Sequence, residues 1–186
     1  MSRTFTIFGE KSILDIRRRR ESDLLEDIRT ADFDEILSTN KEDFISNLIS
    51  KYSFETFELD FDNQDGIKRT KNGKKILTIR IPFEGKEEQL KWRPQSRTVA
   101  DYTCYVKDDC LCFDIDPETN NLADKIDQKL DSISNNSHSL YSDIKESNER
   151  LQNLGAIERE YNSRCEEAEE HQDELDDLDF PIREEE

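Results

Sequence analysis

The stretch Ile76–Asp116, ILTIRIPFEGKEEQLKWRPQSRTVADYTCYVKDDCLCFDID, decides the fold, because it holds most of the β-forming residues and the only tryptophan. Ile76-Leu77-Thr78-Ile79-Arg80-Ile81 alternates apolar and polar residues, which predicts a half-buried strand closed by Pro82 and a turn at Gly85. Tyr102–Val106 and Leu111–Ile115 flank Lys107-Asp108-Asp109-Cys110, the pattern of a short hairpin. Between them stands Lys91-Trp92-Arg93-Pro94, an amphipathic ring among cations just before a residue that forces extended backbone. Two readings follow for Trp92: a cap on the edge of the sheet, or, with Lys91 and Arg93, a surface for a ligand or partner.

Ile81-Pro82-Phe83-Glu84-Gly85, then Trp92-Arg93-Pro94, a hairpin and a long helical segment together resemble an uncharacterised N-terminal domain of stand-alone prokaryotic proteins. Those proteins carry a C-terminal restriction-endonuclease-like PD-(D/E)XK domain and are linked to defence against foreign DNA. The likeness extends from about Phe33, through Glu42–Tyr52, to Leu178-Asp179-Phe180-Pro181-Ile182. It implies a sensing, regulatory or assembly module for a nuclease supplied elsewhere. The nuclease half is not among these residues, so the resemblance implies no catalysis.

Upstream of the deciding stretch, Phe44, Ile45, Leu48, Ile49 and Tyr52 fall on one face at helical spacing. Thr39 with Glu42 predicts a capping box for that helix. Phe33–Leu37 reads as one or two helical turns, and Phe57, Leu59 and Phe61 alternate as a strand with one wet face. Asn63–Gly66 and Lys71–Lys74 read as turns leading to the strand at Ile76. A helix packed on a small, mostly antiparallel sheet is the expected core.

After Pro117 the pattern becomes a heptad. One row holds Ile126, Ile133, Leu140, Ser147 and Leu154, the other Leu130, Ser137, Ile144 and Leu151. The register survives across the serine-rich Ser134–Ser139, which predicts one long helix, and Gly155 is a place to reverse. Ile157, Tyr161, Cys165, Ala168, Leu175 and Leu178 form a thinner second stripe. The expected fold class is α+β: a sheet with a packed N-terminal helix, then a long antiparallel helical hairpin. Ile126, Leu130, Ile133, Leu140, Ile144, Leu151 and Leu154 are its candidate assembly seam. The expected divisions are residues 1–30, a leader with a short strand and an Arg-rich helix; 31–117, the α+β domain; 118–179, the hairpin; and 180–186, an acidic tail or linker.

The 186 residues carry 45 acids against 27 bases, a net charge of −18, which disfavours a simple electrostatic grip on DNA or an anionic membrane. Over half of the excess lies between Arg164 and Glu186, as expected of an interaction tail or of a surface adapted to high salt. An autonomous acidic scaffold or inhibitor, binding a basic partner through this segment, is the second functional reading. Arg17-Arg18-Arg19-Arg20 are candidate nucleic-acid contacts, but Glu21, Asp23, Glu26 and Asp27 follow and on a helix would pair with them. No apolar run is long enough to span a bilayer, and Met1-Ser2-Arg3-Thr4 opens no signal-peptide core, so the cytoplasm is the expected location.

The chemistry-bearing patterns are sparse. Cys110-x-Cys112 lacks the spacer of a zinc knuckle, Cys104 and Cys165 stand apart, and His138 and His171 fall in predicted helices, so neither a metal site nor a cofactor is expected. Asp60 or Asp62 with Glu84-x-Lys86 echoes the acid, acid and lysine set of PD-(D/E)XK nucleases. Gly85 between the two groups, and Pro82 before them, break the regular backbone such a site needs. The chain is expected not to be an enzyme.

Overall fold

The computed structural model describes residues 3–71, 73–97 and 102–178. Its class is α+β, with an antiparallel sheet and two long C-terminal helices. Contacts divide the chain into two units, Met1–Arg17 with Phe54–Asn148, and Arg18–Ser53 with Glu149–Glu186. These boundaries do not coincide with the sequence divisions at 30/31 and 117/118. The expected tail at 180–186, including Phe180-Pro181-Ile182, lies outside the described residues.

The first unit is built on a sheet. Its strands are β1 (Phe5–Thr6), β3 (Glu58–Leu59), β4 (Asp65–Lys71), β5 (Lys74–Glu84), β7 (Thr103–Lys107) and β8 (Cys110–Ile115). They run in the order β1-β7-β8-β5-β3, with β4 also paired to β5, and every pairing is antiparallel. A separate parallel pair joins β2 (Lys11–Ser12) to β6 (Trp92–Arg93). The β7–β8 turn places Asp108 and Asp109 at φ of 51° and 55°, the left-handed pair that a two-residue hairpin of matching twist demands. Between the turns expected around Asn63–Gly66 and Lys71–Lys74 lies β4, a strand that was not expected, and the second turn, at Gly73, joins it to β5: one exposed apolar residue, Ile67, leaves no alternation to read, and backbone pairing with β5 defines the strand.

Alternation puts Ile79, Ile81, Leu111, Phe113 and Cys104 on one face of the sheet, where they are buried with Phe57, Leu59 and Trp92. That face is covered by α4 (Leu122–Gln152), through Ile133, Leu140 and Ile144, and by Ile13 at the start of α1 (Ile13–Arg29). The helix expected on the sheet, α3 (Lys41–Tyr52), instead buries Phe44 in the second unit. Amphipathicity shows that a helix has a partner without naming it.

The second unit is helical: the rest of α1, α2 (Phe33–Ser38), α3, and α5 (Gly155–Asp176) enclose Leu24, Ile28, Ile36, Phe44, Ile157 and Tyr161. The cap of α3 is Asn40, whose side-chain oxygen accepts from the Glu42 N–H at 2.8 Å, not Thr39, which ends α2. α4 is continuous through Ser134–Ser139, and the break falls at Asn153–Leu154. Ile133, Leu140 and Ile144 belong to the sheet core and Leu151 and Ile157 to the helical one, so the residues expected to share one hairpin seam over 118–179 are divided between two cores.

Candidate functional site

A concavity lies in the first unit, at the end of the sheet where β5 finishes. β3 leads from Phe57 to Asp62 along one wall, Pro82-Phe83-Glu84 and the β7–β8 turn form the next, and Ser137, His138 and Tyr141 of α4 close it. The cleft encloses about 770 Å³, inside the range of pockets that hold small ligands or side-chain anchors. Its floor is apolar: Phe57 and Leu59 are buried, Phe61 and Phe83 half-buried, and Tyr141 stands 46% exposed at the mouth. Glu58, Asp60, Asp62, Glu84, Asp108 and Asp109 also line the cleft, Glu58 and Glu84 from the strand face opposite Leu59 and Phe83, and the lining contains neither lysine nor arginine.

The six carboxylates differ in how they are held. Asp60 is tied into its own turn, accepting from the Asn63 side chain at 2.7 Å and from the Asp62 and Asn63 N–H groups at 3.1 Å. These bonds, the Asn63 side chain first, hold its carboxyl below the usual range. Asp108 has Lys107 Nζ at 3.8 Å. Register places Glu58 directly opposite Glu84, a like-charged cross-strand pair that disfavours the free sheet edge and favours an arriving cation.

The acid, acid and lysine set weighed from the sequence is only partly assembled. Asp60, Asp62 and Glu84 share the cleft, whereas Lys86 pairs with Glu55 at 2.7 Å and does not line it. Gly85, at φ +108°, separates the two groups, and a side chain there would meet the Thr56 carbonyl at 2.7 Å. Among the described residues no group of three His, Cys, Asp or Glu is arranged to hold a metal ion.

The remaining candidates are dispersed. Trp92 is buried, its ring edge-on to Phe54 at 5.5 Å, so its face is core rather than ligand surface. Arg93 is exposed, and Lys91 lies over the Phe5 ring at 5.2 Å with Glu87 at 3.6 Å. Of the four arginines, Arg20 closes the C-terminus of α3 by donating to the Tyr52 and Ser53 carbonyls at 3.1 and 2.7 Å. Arg17 has Glu146 at 3.8 Å, Arg19 has Asp23 at 3.7 Å, and Arg18 is exposed and also engaged. Within the seam, Ile133, Leu140, Ile144 and Leu151 are buried, and Ile126, Leu130 and Leu154 are half-buried against the same cores.

All four cysteines are free thiols. Burial pushes Cys104 up to about 12 and Cys112 up to about 11, which leaves both protonated and unreactive at neutral pH. The sheet's outer face carries a polar cluster that sequence reasoning did not find. Asp114 Oδ1 accepts from Arg69 at 2.7 Å, Thr78 at 2.8 Å and Tyr105 at 3.0 Å. Its members lie on four strands, and only the β4–β5–β8–β7 register brings them together. These bonds tie the four strands together and brace the sheet.

No protein-family model matches the chain, and no curated protein or solved structure matches it either. The resemblance to the N-terminal domain of defence-associated nuclease-like proteins therefore rests on the quoted motifs alone. Among the described residues, no helix is long and apolar enough to cross a membrane.

Proposed function

We propose that this protein is a non-catalytic interaction module that holds a basic, partly apolar segment of a protein partner in the acidic cleft. The observation that carries the reading is the composition of the lining: six acidic residues together with Phe57, Phe61, Phe83 and Tyr141, with no lysine or arginine among them. Carboxylates beside a low-dielectric floor attract cations more strongly than the same charges on an open helix, and the floor supplies the area that gives contact energy. The resemblance favours a DNA-cutting protein as the partner, since such a protein presents the cationic surface that phosphates demand. A cytoplasmic regulatory or assembly role belongs to the same reading.

A second reading has its own observation. Beyond Ala168 every described residue of α5 is exposed, and Glu166–Asp177 is densely acidic, so this segment can also draw in a basic partner.

A synthetic peptide alternating lysine and leucine separates the two. Replacing Glu58, Asp62 and Glu84 by Gln, Asn and Gln should weaken its binding by roughly tenfold or more, about 1.4 kcal/mol. Replacing Glu166, Glu169 and Glu170 by Gln removes the same charge and should leave affinity within about twofold. Equal losses in both variants would mean that net charge, not the cleft, binds the peptide. The wild-type chain with magnesium or manganese should leave DNA and RNA intact; cutting that Glu84→Ala abolishes would overturn the non-catalytic reading.

A further inference from the structure

Opposite the cleft, the sheet carries the reverse charge. Residues 66–79 contain Lys68, Arg69, Lys71, Lys74 and Lys75 and no acid, a net charge of +5 inside a chain of net charge −18. They form the β4–β5 hairpin, paired from Asp65↔Arg80 to Lys71↔Lys74 and turned at Gly73, whose φ is +78°. Arg69 is engaged by Asp114 and Tyr105. Lys68, Lys74 and Lys75 are exposed, and no acid among the described residues pairs with them. Ile67, 41% exposed, adds an apolar contact to the same hairpin.

Strand β5 links the two features. It begins at Lys74 in the basic hairpin and ends at Glu84 in the acidic cleft. Eleven residues at about 3.4 Å each separate the two by roughly 34 Å. A single rigid strand therefore carries cations at one end and an aromatic-floored anionic cleft at the other, so neither can reach the other within one chain. They can meet between two chains placed end to end.

We infer that the β4–β5 hairpin of one copy docks in the acidic cleft of a second copy, so that the protein assembles head to tail. The inference rests on the cleft reading above and names the cleft's occupant as a second copy of this chain. Lysines face carboxylates across the contact, and Ile67 meets the aromatic floor beside Tyr141. The interface is heterologous, joining two different patches, so each copy keeps one free hairpin and one free cleft and the chain of copies can extend. A nucleic acid is the competing occupant for the hairpin; net charge −18 opposes both occupants, but the cleft adds apolar surface for Ile67 beside its counter-charge, which a phosphate backbone does not.

Sedimentation velocity tests the assembly, and charge reversal at each end tests its direction. Wild type should associate at ~0.1 M salt, where a screening length of about 10 Å damps the long-range repulsion between two acidic chains more than the close contacts of the interface, and dissociate near 1 M, where it is about 3 Å. The hairpin variant Lys68→Glu/Lys74→Glu/Lys75→Glu should be monomeric yet still bind the lysine–leucine peptide, which shows that it is folded and its cleft intact. The cleft variant Glu58→Lys/Asp62→Lys/Glu84→Lys should be monomeric and lose the peptide. Neither variant alone can dock on itself, because like charges meet at its altered end. Mixed in equal amounts, the native hairpin of the cleft variant fits the native cleft of the hairpin variant, and the two reversed ends are again of opposite charge, so the mixture should associate where each variant alone does not. Wild type that stays monomeric up to about 1 mM, or a mixture that stays monomeric, overturns the self-docking. Peptide binding retained in that case leaves the cleft reading standing, and peptide binding lost removes both. A hairpin variant that loses affinity for a DNA or RNA oligonucleotide while wild type stays monomeric overturns the inference in favour of a polyanion.

Discussion

Truncating Leu140 and Ile157 tells two consecutive helices from a helical hairpin. Leu140 is fully buried in the sheet core, and Ile157 is 2% exposed in the helical core. Leu→Ala or Ile→Ala at such sites costs about 3 kcal/mol, within a range of roughly 2–5, because transfer energy is lost and the cavity only partly collapses. Alanine's better helix propensity returns a few tenths at most. For a chain of this size each kcal/mol lowers Tm by about 2–4 °C, so each single variant should melt roughly 6–12 °C below wild type. A hairpin seam would have the two side chains share one cavity wall and couple by about 0.5–3 kcal/mol. In separate cores the two losses should add to within about 0.5 kcal/mol. Urea unfolding of wild type, both singles and the double, followed by circular dichroism, gives the cycle; a coupling above about 1 kcal/mol would refute the assignment of the two helices to different partners.

Two further outcomes follow from charge. Burial raises the Asp114 carboxyl, but donation from Thr78, Arg69 and Tyr105 outweighs it and the net pKa is lowered, so its stabilisation is present above the unfolded carboxylate pKa and is lost as pH falls through the lower folded value. Asp114→Asn should flatten the acid limb of a plot of Tm against pH below about 4, and an unchanged limb would show that the cluster adds nothing. The last turn of α5 carries acids and no base, against the helix dipole, so hydrogen-exchange protection of Glu166–Leu178 should rise with added KCl; equal protection at low and high salt would refute charge-limited folding there.

The parts of the fold that could be read from the sequence are those where one physical pattern acts alone. β5 and the β7–β8 hairpin alternate cleanly, and Asp108-Asp109 supplies the turn. The register of α4 was readable because Ile133, Leu140 and Ile144 keep heptad spacing through the serines. What covers that stripe was not, since an apolar face looks the same whether a sheet or another helix lies on it. The same ambiguity misplaced α3. β4 was invisible because edge strands with two wet faces need no apolar alternation, and the backbone hydrogen bonds that hold them leave no trace in side-chain pattern. Half of the cleft's carboxylates, Asp60, Asp62 and Glu84, stood out through their spacing; Glu58, Asp108 and Asp109 join them only through the β3–β5 register and the position of the β7–β8 turn.

The excess of acid is therefore best understood by where each carboxylate sits, not by its sum. On α5 the carboxylates project into water, where interactions are divided by a dielectric near 80 and screened within about 10 Å at 0.1 M salt, so they shape the long-range field and the rate of encounter. Around the cleft, six acidic residues are gathered beside Phe57, Leu59, Phe61 and Phe83. There a bound cation is flanked by several charges at once and loses less of its attraction to solvent, while an apolar neighbour on the same segment finds a surface to bury. A uniform negative coat would attract every basic protein equally. Discrimination requires a place where charge and apolar area are presented together in fixed geometry, and in the first unit the place proposed for it is the end of β5.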